Sequence, residues 1–257
     1  MRYSPKSNTR PLALCGNEMN HSNYIETYYL GAYWRPQEES VASCAEKLLA
    51  FLRTIVTIDT MFENWFETGW SKREALTKRI DVNQKALELL LSTNNDKELG
   101  HQIGIWNGES DDSRSCGISV RCGCSNQYLH NSLIINLPYG TDVANKILTY
   151  KVLLQLMKAT VDSWEPDWAV IMSNDQLDNI QETAAGQPTV GWFLYNSRTT
   201  NSLPDLPHPS CVTSFHGSGT LTVLTKDRFS ARKPEHMMIV HNVSKILVNT
   251  KLLEPLF

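Results

Sequence analysis

The sequence has no long apolar run and no export signal, and each absence excludes a class of protein. No uninterrupted apolar stretch is longer than the five residues 168–172, far fewer than the roughly 18 residues that a transmembrane helix requires. The apolar patch near the amino terminus, residues 12–15, is too short for the core of a signal peptide. With 257 residues, of which 41% are hydrophobic and 20% are charged, the chain is too apolar for a disordered tail. We therefore expect a folded cytoplasmic protein that does not contact a membrane.

Motifs that mark catalytic or cofactor sites are also missing. The sequence contains no G-x-S-x-G nucleophile turn, no phosphate-binding glycine loop and no dinucleotide fingerprint. Two-metal nucleases of the restriction-endonuclease kind place a lysine two residues after a metal-binding acid. None of the 27 acidic residues here has lysine at that position. These absences predict a protein that is not an enzyme and that uses no cofactor.

Six cysteines in a chain without an export signal are expected to be reduced thiols. Cys116, Cys122 and Cys124, with His130 close in sequence, could be considered as zinc ligands. The paired C-x2-C spacing of structural zinc sites is missing, however. We therefore predict buried thiols at the end of a strand and no metal.

Lysine and arginine are absent from two stretches, although the formal net charge of the chain is only −3. Residues 99–113 carry the acids Glu109, Asp111 and Asp112, and residues 159–197 carry Asp162, Glu165, Asp167, Asp175, Asp178 and Glu182. If the two stretches meet on one face, they form a negative surface that repels nucleic acid and attracts a basic partner. An ordinary solvated surface is the alternative interpretation.

Hydrophobic periodicity predicts a single compact α+β domain with a mostly antiparallel sheet and helices packed on one face or at one end. Helical spacing covers residues 38–55, two short segments between 60 and 92, residues 141–161 and a closing segment from Pro234; Ser71 and Glu74 have the spacing of a capping box. Strands are predicted at residues 25–34, 101–107, 116–121, 131–137, 168–172, 190–196 and 220–224. The three strands between residues 101 and 137 favour an antiparallel meander.

The tryptophans divide into two groups according to the elements that contain them. Trp34 and Trp192 lie inside predicted strands, where packing in the core is expected. Trp106 and Trp164 lie at the ends of predicted elements and beside acids. Since tryptophan suits a core and an interface equally, both roles stay open for these two residues.

Seven short motifs follow one another along the chain. They are Tyr29-Leu30-Gly31-Ala32-Tyr33-Trp34, Ile105-Trp106-Asn107-Gly108, Asn136-Leu137-Pro138, Trp164-Glu165-Pro166-Asp167-Trp168-Ala169-Val170, Gly191-Trp192, Gly219-Thr220-Leu221 and Pro234-Glu235-His236. In this order and spacing, over residues 25 to about 250, they resemble immunity protein family 52 of bacterial polymorphic toxin systems. Residues 1–24 lie outside the pattern and are expected to be an N-terminal extension, and residues 25–257 are expected to form the immunity-type domain.

The resemblance implies an antidote without catalysis, encoded beside a secreted toxin that is often a type VI effector with a restriction-endonuclease-like nuclease domain. It carries over no catalytic residues. A toxin that cuts DNA must be basic around its cleft, so an acidic protein can bind that face without contacting nucleic acid itself. The residues expected to bind the toxin are Trp106, Asn107, Glu109, Asp111, Asp112, Asp162, Trp164, Glu165, Asp167, Asp175 and Asp178.

Two other functions remain open on the sequence. One is a metal-dependent hydrolase that uses the carboxylates of Asp162, Glu165 and Asp167, which lie close together in the chain. The other is an adaptor or chaperone that loads an effector for secretion. Loss of an adaptor would stop export without killing the producing cell, whereas loss of an antidote would kill it.

Overall fold

The strand predicted at residues 25–34 forms the centre of one large antiparallel sheet. The computed structural model describes residues 25–93, 95–96, 98–140, 142–180, 187–198, 202–215, 217 and 219–255. The N-terminal extension predicted for residues 1–24, and Glu182 of the second acidic stretch, lie outside the described residues. Over the described part, the expectation of a single α+β domain is confirmed.

Over the described residues the sheet has ten strands, and every strand pair in it is antiparallel. In chain order the strands are β1 (Tyr28–Trp34), β2 (Phe66–Glu67), β3 (Asn95–Asp96), β4 (Gly100–Trp106), β5 (Gly117–Cys122), β6 (Asn131–Asn136), β7 (Trp168–Ser173), β8 (Phe193–Asn196), β9 (Cys211–Phe215) and β10 (Gly219–Val223). Their order across the sheet is β2-β4-β5-β6-β1-β7-β8-β10-β9, and β3 also pairs with β4. The predicted meander is confirmed as β4-β5-β6. The short strands β2 and β3 and the edge strand β9 were not predicted.

Seven α-helices accompany the sheet in the described part of the chain. They are α1 (Val41–Ile55), α2 (Lys72–Ala75), α3 (Gln84–Thr93), α4 (Asp142–Ile147), α5 (Tyr150–Trp164), α6 (Asn174–Asp178) and α7 (Pro234–Asn249). The capping box is confirmed at α2, where the Ser71 hydroxyl accepts a hydrogen bond from Glu74 N.

The single helix predicted at residues 141–161 is wrong, because two helices occupy that region. Thr149 separates α4 from α5 with extended backbone angles, φ −116° and ψ 148°. Its hydroxyl accepts a hydrogen bond from Val152 N at 3.4 Å and so caps α5. Threonine is a favoured N-cap residue, and its side chain thus supports a new helix start inside a continuous apolar stripe.

The first face of the sheet is covered by helices α1, α3 and α5. Trp34 of β1 packs against Trp164 of α5 with ring centroids 5.4 Å apart, and Tyr150 of α5 stacks on Phe193 of β8. α1 contacts both α3 and α5. This face holds most of the core.

The second face is covered over only part of its width. Val170 of β7, Leu194 of β8 and Thr222 of β10 point to this face and are buried. Just beyond the end of α7, Leu252 O accepts a hydrogen bond from Asn196 Nδ2 of β8 at 2.6 Å. Residues of β4, β5 and β6 that point to this face are half-buried or exposed. We call this uncovered part the open face; its residues are Gln102, Gly104, Trp106, Gly117, Ser119, Arg121, Ser132, Ile134 and Asn136.

Strand register defines two opposite ends of the sheet. At the end we call upper, Trp106 lies opposite Gly117, and Tyr28 lies opposite Ser173. At the lower end, Tyr33 lies opposite Trp168. Because each strand residue advances the chain by about 3.4 Å, the two ends of the six-residue β7 are roughly 17 Å apart.

Candidate functional site

The two acidic stretches do not form one surface. Asp162, Glu165 and Asp167 precede β7 at the lower end, whereas Asp175 follows β7 at the upper end. The acids of residues 109–112 follow β4, also at the upper end. Four strand spacings of about 4.8 Å separate β4 from β7, so the two upper groups are themselves roughly 19 Å apart across the sheet. The expectation of a single negative face is therefore wrong.

Asp167 has a structural role at the lower end. Its carboxylate accepts hydrogen bonds from Arg35 N at 2.8 Å, Arg35 Nε at 3.2 Å and Arg35 Nη2 at 2.7 Å. The residue is 9% exposed. These bonds fix the end of β1 to the start of β7, and they occupy the oxygens that a metal ion or a partner would need.

Trp164 and Glu165 have structural roles at the C-terminal end of α5. Trp164 is 1% exposed and packs on Trp34, so its assignment to a binding surface is corrected: it belongs to the core. Glu165 is exposed and adopts the left-handed conformation at φ 47°, where its N–H donates to Val161 O. This is the geometry of a helix C-cap. Asp162 is exposed on the last turn of the same helix.

The hydrolase hypothesis depends on these three acids acting together around a metal. Among the described residues, no group of three His, Cys, Asp or Glu side chains is placed to hold a metal ion. Asp167 is already bound to Arg35. The geometry therefore removes the observation that motivated this hypothesis.

In the part of the chain that the structure describes, Cys116, Cys122 and Cys124 form no metal-holding group with His130. Cys116, Cys122 and Cys124 are each 0% exposed. Burial raises the pKa of Cys116 to about 12. A hydrogen bond with Cys44, together with burial, raises the pKa of Cys122. Of the described cysteines only Cys211, on the edge strand β9, is exposed.

At the upper end, two of the predicted acids have basic partners. Asp112 Oδ1 lies 2.6 Å from Lys72 Nζ, which also donates to Ser110 O at 2.8 Å. Asp175 Oδ2 accepts from Arg232 Nε at 2.7 Å. These pairs reduce the net negative charge that either site presents. Asp178, at the end of α6, is exposed.

Asn107 fixes the loop between β4 and β5 that carries the remaining acids. Its Oδ1 accepts from Cys116 N at 3.0 Å, and the residue is 8% exposed. Gly108 follows with φ +80°, and an added Cβ would lie 2.5 Å from the Phe66 ring. The Asn-Gly pair is therefore needed by the turn itself, and Asn107 positions the loop instead of contacting a partner directly.

Asp111 and Glu109 are the acids of this loop that form no ion pair within the described part of the chain. Asp111 is exposed, and its Oδ1 accepts from Ser113 Oγ at 2.7 Å and Ser113 N at 2.9 Å. These hydrogen bonds hold the pKa of Asp111 below its usual value. Glu109 is half-buried beside it. The loop thus presents an ionised carboxylate in a fixed conformation.

Trp106 lies next to this loop on the open face. The indole is half-buried, packs against the Phe66 ring and donates from Nε1 to Glu67 O at 3.3 Å. One side of the ring is therefore anchored in the sheet while the rest is accessible. Of the two tryptophans left open by the sequence, Trp106 is the one that a partner can reach.

Trp70 is an exposed tryptophan that the sequence reasoning did not single out. Its side chain is 100% exposed. Trp70 N donates to Glu74 Oε2 at 3.1 Å, and the Ser71 cap follows directly. Trp70 precedes the capping box, where a large apolar residue usually packs against the fourth residue of the helix. That residue is Ala75, which is too small to cover an indole. The small size of Ala75 therefore indicates, from the sequence alone, that this helix start does not cover the Trp70 indole.

A polar hollow of about 480 Å³ lies on the open face between the strands and the start of this turn. Gln102, Gly104, Ser119, Arg121 and Ser132 line it. Arg121 Nε is buried and has no hydrogen-bond partner in the described part of the chain. Burial lowers the pKa of His130, and the positive charge of Arg121 lowers it further.

The exposed Trp70 turn and the acidic loop lie together at the upper end of the sheet, and the hollow extends from them toward the lower end, where Gln102 lies opposite Arg121. Thr68 links them, since it lines both the hollow and a second depression beside Trp106 and Asp112. We call the part formed by the Trp70 turn and the acidic loop the upper surface. Within the described residues, no helix has the length and apolar character needed to span a membrane.

The described residues thus form an α+β domain in which Trp70 is fully exposed. Residues 26–256 match the family Immunity protein 52 (Imm52), and the chain belongs to this family. Membership of an immunity protein family implies a toxin partner.

One solved structure supports the fold. The chain is similar to the Pseudomonas aeruginosa T6SS protein PA0821, with a TM-score of 0.52 and 11% sequence identity, over 86% of this chain and 73% of that chain. At this identity the likeness concerns the fold alone. A comparison with curated proteins finds no match.

Proposed function

We propose that this protein binds and neutralises a cognate nuclease toxin delivered by a type VI secretion system, and so protects the DNA of the cell that produces it. The observation that carries the proposal is the match of residues 26–256 to an immunity protein family. The structural neighbour is named as a T6SS protein, which agrees with the proposed secretion context.

Inhibition by binding fits the chemistry of the described acids better than catalysis does. Asp167 is bound to Arg35, and Glu165 caps a helix. The accessible groups instead lie on the upper surface, where Trp70 is fully exposed and Asp111 is held in place by Ser113. An aromatic anchor with charged groups around it is the usual composition of an interface hot spot.

Trp70 is the anchor that we assign to the interface. Its indole contributes no packing inside the protein, because it is 100% exposed. The bond from Trp70 N to Glu74 Oε2 fixes the backbone that presents it. Little conformational freedom of the turn is therefore lost on binding, which favours affinity. The matching feature of the toxin is an apolar socket wide enough for an indole.

The proposal that the toxin is a nuclease is based on charge complementarity between the acidic loop and a basic cleft. A DNA-cutting enzyme is basic around its cleft. Asp111 and Glu109 supply acidic groups beside Trp70 and Trp106, although Lys72 offsets Asp112 in the same loop. We therefore assign electrostatic attraction to a small loop, and we assign most of the binding energy to the aromatic anchor.

The test combines growth and biochemistry. Expression of the toxin domain in bacteria should stop growth, and co-expression of this protein should restore it. Purified protein at equimolar ratio should form a complex by gel filtration and stop DNA cleavage. Unimpaired cleavage together with no complex would refute the proposal. If deletion of the gene blocks toxin export and leaves the producing cell viable, the protein is a loading adaptor instead.

A further inference from the structure

Arg121 is the charged residue that the packing of the sheet does not explain. It lies on β5 and points to the open face, directly opposite Gln102 of β4. Its Nε is buried and unpaired, and no ion pair of Arg121 occurs in the part of the chain that the structure describes. A buried donor without a partner costs about 1–3 kcal/mol in general. Such a group calls for an explanation outside the free protein.

The hollow is deeper at Gly104 than the fold requires, because the backbone there could carry a larger residue. Gly104 has no left-handed backbone angle, and an added Cβ would meet only the Thr68 side chain, at 3.6 Å. A side chain would thus fit there. Glycine inside a strand weakens it and is common where another molecule approaches the backbone closely. The glycine leaves space over β4, next to Ser119 and Arg121.

Apart from Glu67, the polar groups around this space can all donate hydrogen bonds, and so can bind an anion. Arg121 carries a positive charge without an acidic partner, and Ser119, Ser132 and Gln102 add neutral groups that can donate hydrogen bonds. Glu67 also lines the hollow, but it lies near Ile105. That position is three residues along β4 from the Gln102–Arg121 pair, or roughly 10 Å. The charge of Arg121 is therefore not neutralised within the hollow.

We propose that the hollow receives a carboxylate side chain of the toxin, which binds the guanidinium group of Arg121 above Gly104. This inference rests on the proposed function, since the partner is the toxin. Arginine binds a carboxylate with two parallel hydrogen bonds, and such charge-assisted bonds are stronger than neutral ones. The hollow adjoins the Trp70 turn through Thr68, so one partner can occupy both.

Binding measurements with three variants test the assignment. Arg121→Gln removes the charge, and Gly104→Val fills the floor while it keeps a residue type that strands favour. Each variant should weaken toxin binding by roughly ten- to a hundredfold in isothermal titration calorimetry. Lys245→Gln removes a positive charge from an exposed position of α7 and should bind as the wild type does. Melting temperatures of all three should stay close to the wild-type value.

A cross-linking experiment identifies the partner group. In the complex of the Arg121→Lys variant, a carbodiimide should join the new lysine amine to a toxin carboxylate as an amide, with the oxygen leaving in the urea by-product. Mass spectrometry of the digested complex should then show one Asp or Glu of the toxin attached at position 121. Titration of the free protein with acetate and with phosphate, followed by NMR, tests whether small anions bind instead.

The outcomes separate the two proposals. If wild-type protein forms no complex with the toxin, the proposed function fails and this inference fails with it. If the complex forms but Arg121→Gln and Gly104→Val bind like the wild type, only the carboxylate site is refuted. Tight phosphate binding that depends on Arg121, with no effect on toxin affinity, would assign the hollow to a free anion and also overturn the inference.

Discussion

Replacing Trp70 with alanine separates binding from folding. The indole is fully exposed, and the turn beneath it is held by the Trp70 N–Glu74 and Ser71–Glu74 hydrogen bonds, which alanine retains. We therefore expect the melting temperature to change by no more than about 1 °C. An anchor tryptophan at the centre of an interface contributes about 2–4 kcal/mol. At 1.4 kcal/mol per factor of ten, the loss of toxin affinity is roughly 30- to 700-fold.

The matched control is Trp164→Ala, which removes a tryptophan that is 1% exposed. Loss of a buried tryptophan costs about 3–5 kcal/mol, which lowers the melting temperature of a domain of this size by roughly 6–20 °C. Calorimetric or interferometric affinities and thermal melts of both variants provide the readout. A Trp70→Ala protein that binds within threefold of the wild type would refute the anchor. A large drop in its melting temperature would show that the indole has a role in the fold.

Three further results follow from the same geometry. Asp167→Asn should lower the free energy of unfolding by about 1–2 kcal/mol, because it weakens the hydrogen bonds to the largely exposed Arg35. Toxin affinity should be unchanged. Denaturant unfolding and a binding assay check the two expectations. The association rate in stopped-flow measurements should fall as salt rises, because steering is screened beyond about 8 Å; a rate that is constant from low to high salt would contradict a role for the acidic loop. Of the described thiols, Cys211 should react with Ellman's reagent in the native protein, whereas Cys116, whose pKa burial raises to about 12, should react only after unfolding; early labelling of Cys116 would contradict its burial.

The local parts of the fold were predictable from local patterns. Alternation at Ile118 and Val120 predicts β5, and the Ser71–Glu74 spacing predicts the start of α2; both are confirmed. The single helix at residues 141–161 failed because Thr149 caps a second helix inside an unbroken apolar stripe. Apolar periodicity indicates which face of a helix is buried. It does not reveal a break between two helices when both continue the same apolar stripe.

The site was harder to predict because it depends on the order and register of the strands. Asp167 and Asp175 are eight residues apart in the sequence, but β7 carries them to opposite ends of the sheet. Arg121 is one residue in an ordinary alternating strand, and only the sheet order shows that its face is uncovered. Trp70 is the exception, since the small Ala75 behind it could have indicated an exposed indole from the sequence alone.

The far edge of the sheet has a practical consequence for work at high protein concentration. β9 pairs only with β10 among the described strands, and its five residues include neither a charge nor a proline. Natural proteins commonly place charged residues or proline on edge strands, where these residues hinder pairing with a strand of another molecule. Concentrated samples should therefore be monitored for strand-mediated association at this edge, and a lysine introduced at Thr213 would add the missing protection.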